Sequence, residues 1–196
     1  MSRIALLTAA LFAVTAVADD KKPSAQEQAM MEAFMKHATP GPHHKALEPF
    51  VGDWTYHARF WMAPEAPPME MKGETKYSWV LGGRFLKEEV SGPAQAGMPA
   101  FQGIAMIGYD NATKKYVATW IDSMTTSITN MTGDMDAAGK TMTFHYDEYD
   151  AATGKMEKAK QVTHIKGPNE HEVQFYRIGA DGKEMKTGEI KAKRAK

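Results

Sequence analysis

From Gly52 almost to its end, the chain carries its apolar residues with a period of two, broken only by short runs of turn-forming residues. Connections that brief can join antiparallel neighbours. Parallel neighbours need crossovers of a dozen or more residues, commonly helical. In the first segment Trp54, Tyr56, Ala58, Phe60 and Met62 share one face, and Thr55, His57 and Arg59 the other. In the next, Met69, Met71, Gly73, Thr75, Tyr77, Trp79 and Leu81 alternate with Glu70, Lys72, Glu74, Lys76 and Ser78. Gly82-Gly83, YDNATKKY, MDAAGKTM, YDAATGKM, KGPNEH and GADGKEM then punctuate the chain. Asp, Asn and Gly at such points tolerate left-handed backbone and bond their own turns. About ten short strands in sequence order leave two raw edges unless the sheet closes on itself. The expected fold is all-β: a closed antiparallel up-and-down barrel over 51–196. A calcium loop would need more oxygen ligands than these Asp-x-x-Gly-Lys turns offer.

Residues 19–50 read differently. Met31, Phe34, Met35 and Ala38 have helical spacing, and Ser24 with Glu27 forms a capping-box pattern, so a short helix is expected to end before Pro40. Pro42–Phe50 supplies another turn or two with Leu47 and Phe50 on one face, kept short by Pro49. This segment is expected to act as a helical lid. Ahead of it, Arg3, the apolar run Ile4–Val14 and the small residues Ala16-Val17-Ala18 have the order of a secretory signal peptide, 1–18, cleaved near Ala18. The run is shorter than the roughly 20 residues that cross a bilayer. No membrane span is therefore expected, and the location is expected to be periplasmic or secreted. The chain has no cysteine, so an exported form must be stable without disulfides. Its 24 basic residues balance 24 acidic ones, which gives nucleic acid no electrostatic footprint.

A helical lead-in followed by Gly52-Asp53-Trp54 at the start of a strand resembles the calycin barrels: lipocalins, fatty-acid-binding proteins and nitrobindin-like proteins. That resemblance implies that Trp54 closes one end and packs against a basic residue of the last strand, here Arg194, as a cation–π pair. The segments GPHHKALEPFVGDW, WMAPEAPPMEMKGE, WVLGGRFLKEE, IGYDNATKKYVATWIDSM and DGKEMKTGEIKAKR resemble a narrower group, the exported bacterial domain of unknown function 1579. The repeated glycines of the nitrobindin haem signature are absent after Gly-x-Trp, so haem is not expected.

Parity nominates an aromatic interior of Trp54, Tyr56, Tyr77, Trp79, Phe101, Trp120, Phe144 and Phe175, either as a ligand pocket or as packed core. Asp122 shares a face with Trp120, and a carboxylate turned inward needs a partner. Arg84, after Gly82-Gly83, is the candidate partner, and the pair could hold the polar end of a ligand. An internal ion pair or a turn-capping Asp122 is the alternative. His171 is in phase with Val173 and Phe175. His43-His44, with His37, Met30, Met31 and Met35 nearby, suggests copper only weakly, since such methionines more often pack a lid. No cofactor, no metal ligand set and no catalytic group is assigned. The expected role is binding a small hydrophobic or amphipathic molecule through Trp54, Tyr56, Tyr77, Trp79, Arg84, Trp120, Asp122, Phe144 and His171. The alternatives are an enzyme using Asp122, Arg84 and His171 as acid–base groups, or a structural or interaction protein with a filled barrel. Oligomeric state is left open.

Overall fold

The computed structural model describes residues 22–63, 65–95, 97, 99–150 and 153–196. The expected signal peptide lies outside the described residues. The chain divides into two compact units, 1–36 and 37–196. Helix α1 (Ala25–Ala38) makes up most of what is described of the first. The Ser24 amide donates to Glu27 Oε2 at 2.7 Å, and the Glu27 amide donates back to Ser24 Oγ at 3.3 Å, which completes the expected capping box. None of the residues of α1 is buried, and Met30, Met31, Phe34 and Met35 are exposed.

The second unit begins with a single helical turn, α2 (Pro42–Lys45), and a 3-10 turn, Glu48–Phe50. Ten strands follow: β1 (Gly52–Phe60), β2 (Met69–Val80), β3 (Phe85–Gly92), β4 (Phe101–Asp110), β5 (Lys115–Asp122), β6 (Thr129–Met135), β7 (Thr141–Asp150), β8 (Lys155–Gly167), β9 (Glu170–Ile178) and β10 (Glu184–Arg194). Each pairs antiparallel with its sequence neighbours, and β1 pairs with β10, so the sheet is a closed up-and-down barrel as expected. Asp136 and Asp181 accept the amides of Lys140 and Lys183, so those Asp-Gly-Lys stretches are turn punctuation. Leu81 leaves the inward row of β2. It adopts a left-handed φ of 49° in the Leu81–Arg84 turn and is exposed. Met62 is likewise exposed, just past the end of β1.

One end of the barrel is plugged. Leu47 and Phe50 are buried in one core cluster with Trp54, Tyr77, Leu86, Tyr116, Met142 and Phe144. Tyr116 donates to the His43 carbonyl at 3.1 Å, and Trp54 Nε1 donates to the Phe50 carbonyl at 2.7 Å. Farther in, the wall turns small: Ala58, Ala105, Ala118, Ala159 and Ala192 are buried and inward. The interior of a ten-stranded ring is occupied by side chains of its own wall or by a small guest, and large rings fit only where facing positions are small. Gly103 shows this, because a Cβ there would collide with the Trp120 indole. A Cβ on Gly188 would meet Phe60 at 2.5 Å.

The seam between β1 and β10 runs from the Trp54–Arg194 pair to Phe60–Gly188. Arg194 locks it. Its guanidinium lies 4.3 Å above the Trp54 ring and donates to the carbonyls of Val51 (2.7 Å), Pro49 (3.0 Å) and Pro168 (3.0 Å). Charged hydrogen bonds of this kind contribute about 1.5–3 kcal/mol each and are not additive. We expect Arg194→Ala to cost about 3 kcal/mol, or roughly 10 °C in Tm. Arg194→Lys should recover less than half, because an ammonium cannot make the same planar fork. Thermal unfolding followed by circular dichroism measures both, and an unchanged Tm in either variant would refute the lock.

Candidate functional site

A row of inward residues crosses four strands at one level: Tyr77 on β2 pairs with Glu88 on β3, Glu88 with Ala105 on β4, and Ala105 with Trp120 on β5. Glu88 is the unusual member. It shares its face with Leu86, fully buried, and Val90. Tyr77 Oη donates to Glu88 Oε1 at 2.7 Å. No described cation pairs with the carboxyl. Burial raises it from 4.5 to about 7, with the Tyr77 hydrogen bond opposing the shift. The same desolvation, then the charge of Glu88, pushes the Tyr77 phenol well above its ordinary value. Glu88 keeps a fraction of accessible surface despite this desolvation.

His171 sits one step nearer the plug. Its ring makes edge contacts with Trp54 (4.5 Å), Phe50 (5.3 Å) and Tyr77 (6.1 Å). It is 3% exposed, and its Nδ1 has no hydrogen-bond partner among the described residues. Burial, then the nearby Arg194, lowers it to about 4, so the imidazole is neutral at pH 7.

The other end carries charge. Arg177 on β9 reaches Glu148 (3.3 Å) and Asp150 (3.0 Å) on β7. Burial, then the Glu148 charge, pushes the Tyr146 phenol upward. Trp120 stacks with Phe101 at 6.3 Å, and its Nε1 donates to Asp122 Oδ2 at 2.8 Å. Asp122 Oδ1 accepts the amides of Met124 and Thr125, so this carboxylate caps its own turn.

The expected Arg84–Asp122 pair is not formed. Arg84 lies just outside β3, whose first residue Phe85 pairs with Gly108, whereas Asp122 lies opposite Gly103, so the two are at least as far apart as Gly108 and Gly103. Five residues along β4 separate those levels, about 17 Å at the usual rise. Arg84 instead donates to the Leu81 carbonyl at 3.1 Å in its own turn. Parity gave the face of each residue but not its height, and the same separation keeps Arg84, Asp122 and His171 from forming an acid–base cluster. Trp54 and Phe144 are core, 2% and 1% exposed. Trp79 is half-buried and donates to Glu48 Oε2 at 2.7 Å, tying β2 to the plug. The Tyr56 ring is buried, and its hydroxyl donates to the Ser91 carbonyl at 3.3 Å beside Gly73 and Gly92, where the β2–β3 ladder ends. An outer concavity of about 850 Å³ opens there. A second, of about 370 Å³, opens beside Tyr146 beyond the end of the β6–β7 ladder. His43 stacks on Tyr109 at 4.3 Å, and His44 Nδ1 accepts the Gly41 amide at 3.0 Å, so both rings have structural roles in the plug. Glu88 escaped the sequence reading. The signal was present in FLKEEV, where Leu86 and Val90 bracket it in phase.

Glu88 and His171 have opposite effects on stability. Glu88 titrates higher when folded, so its burial costs nothing below about pH 4.5 and destabilises increasingly toward pH 7 and above. His171 titrates lower when folded, so its contribution is complete above about pH 6.5 and is lost as pH falls toward 4. In between, the native state holds on Glu88 the proton that the unfolded state holds on His171, and the two slopes cancel. Glu88→Gln breaks this balance. Its stability should match wild type near pH 4.5 and exceed it by on the order of 3 kcal/mol at pH 8. Urea denaturation across that range tests this, and a pH-independent difference would refute it.

Comparison with known proteins adds family and fold. No curated protein matches the sequence. The crystal structure of Rv2717c from M. tuberculosis is similar with a TM-score of 0.55 at 15% identity, over 81% of this chain and all of that one. A redesigned β-barrel aligns with a TM-score of 0.41 at 10% identity, over 78% of this chain and 96% of that one. At those identities the likeness to Rv2717c speaks for the fold alone. Over residues 39–194 the sequence matches the family described as protein of unknown function (DUF1579), and the chain belongs to that family.

Proposed function

We propose that this member of a family of unknown function is an exported barrel that binds a small amphipathic molecule, admitted at the end away from the plug. The carrying observation is the Trp120–Phe101 stack, which is half-buried at that end while Phe50, Trp54 and Tyr116 at the other end are buried. Met71, Val90 and Met131 pack only partly against the core, so an apolar guest would bury them further, at about 25 cal/mol per Å². Asp122 holds the Trp120 indole in place through its Nε1 hydrogen bond, a pre-set surface that would lose little entropy on binding.

The test uses N-phenyl-1-naphthylamine, whose fluorescence rises in apolar surroundings. Trp120→Ala should weaken its binding about tenfold, the loss of a buried aromatic contact, while Tm falls by only a few degrees. Undiminished affinity in a folded variant would refute the pocket. For export, the full chain expressed in a bacterium should appear in the periplasmic or secreted fraction with Asp19 as its N-terminus. A cytoplasmic product that keeps Met1 would refute that part.

A further inference from the structure

We infer that the ligand of this barrel is an amphipathic cation, an apolar body bearing a protonated amine, and that Glu88 receives its ammonium group. The inference rests on the binding reading above and narrows it to one chemical class.

Among the described residues no cation answers the Glu88 carboxyl, and one donor does. A carboxylate offers about four acceptor positions. Tyr77 fills one of them at 2.7 Å. Along β3 the inward neighbours are Leu86 and Val90, and Lys87 and Glu89 pair with each other at 2.8 Å on the outer face. From β2 the facing residues are Thr75, Tyr77 and Trp79, and from β4 they are Gly103, Ala105 and Ile107. Tyr77 is the one titratable group among these. The cations elsewhere near the lumen are committed: Arg177 to Glu148 and Asp150, Arg84 to the Leu81 carbonyl, Arg194 to Trp54 and three carbonyls. His171 is neutral beyond the Tyr77 ring.

An ammonium would supply both the missing charge and the missing donors. An alcohol would supply one donor and no charge. A carboxylate guest would set like charges together in a desolvated site. The unplugged end favours the same sign, since inward Asp122, Glu148, Asp150 and Glu157 outnumber Arg177 and Lys155 and would raise the local concentration of a cationic guest. Trp120 lies on the row of Glu88, and an indole is the aromatic ring that attracts a cation best.

The test is isothermal titration of the purified protein at pH 7 with n-octylamine, n-octanol and n-octanoate. Octylamine should bind about tenfold tighter than octanol, as one added charged hydrogen bond allows, and octanoate more weakly than either. Octylamine binding should also release protons as Glu88 ionises, read as a dependence of the heat on the buffer's ionisation enthalpy. This measurement needs no variant. Glu88→Gln, checked for folding by near-ultraviolet circular dichroism, should reduce the preference for octylamine over octanol below threefold. Equal binding of octanol and octylamine would overturn this inference and leave the binding reading intact. So would a preference that survives in Glu88→Gln, or octylamine binding without proton release. If none of the three probes binds wild type, both fall.

Discussion

The barrel depends on one cation over one indole. Arg194, near the end of the chain, sits 4.3 Å above Trp54 near its start and bonds carbonyls of Pro49, Val51 and Pro168. Those contacts join the plug, the first strand, the β8–β9 connection and the last strand. Closing a sheet removes its raw edges, but the first and last strands must find each other across the whole sequence. A guanidinium suits this role because its planar fork can donate in several directions while its face stacks. The same group reaches His171, where its charge adds to burial in keeping the imidazole neutral. The structural lock and the electrostatics of the sealed end are therefore one arrangement.

With the seam closed, the interior divides into two regions with different chemistry. At the plugged end Leu47, Phe50, Trp54 and Phe144 pack as core. At the other end acids, Arg177, Lys155 and half-buried rings line the wall. Glu88 lies where the two regions meet. An isolated buried carboxyl costs stability at neutral pH, and an apolar side chain there would remove that cost. His171, whose Nδ1 has no hydrogen-bond partner among the described residues, is a second polar group in the same interior. Strain of this sort tends to collect at functional sites. That is why Glu88, rather than the better satisfied Asp122, carries the proposed chemistry.

Much of the fold was legible along the chain. Period two, short turns and the lack of crossovers named antiparallel sheet, and the cost of raw edges favoured closure. Ser24 and Glu27 marked a real cap. The Trp54–Arg194 contact followed from resemblance and is present. Tyr77 and Trp120 lie on the face that parity nominated, and His171, for which an inward place and a strand start were both open, is buried inward. Parity misjudged Arg84 with Asp122, because alternation says which side of a strand a residue faces and says nothing of its height in the barrel. It also passed over Glu88, because a glutamate in a charged run such as LKEEV is ordinarily solvated.

The sequence by itself determined the element types, their order and the inward face of most strands, since these depend on local periodicity and turn chemistry. Tertiary structure alone decided register, and register decided the site. The β2–β3 ladder sets Tyr77 beside Glu88, and the β3–β4 and β4–β5 ladders set Arg84 and Asp122 at opposite ends. Hydrogen-bonded pairing fixes which residues share a level, and such pairings span distances along the chain that no local pattern can encode.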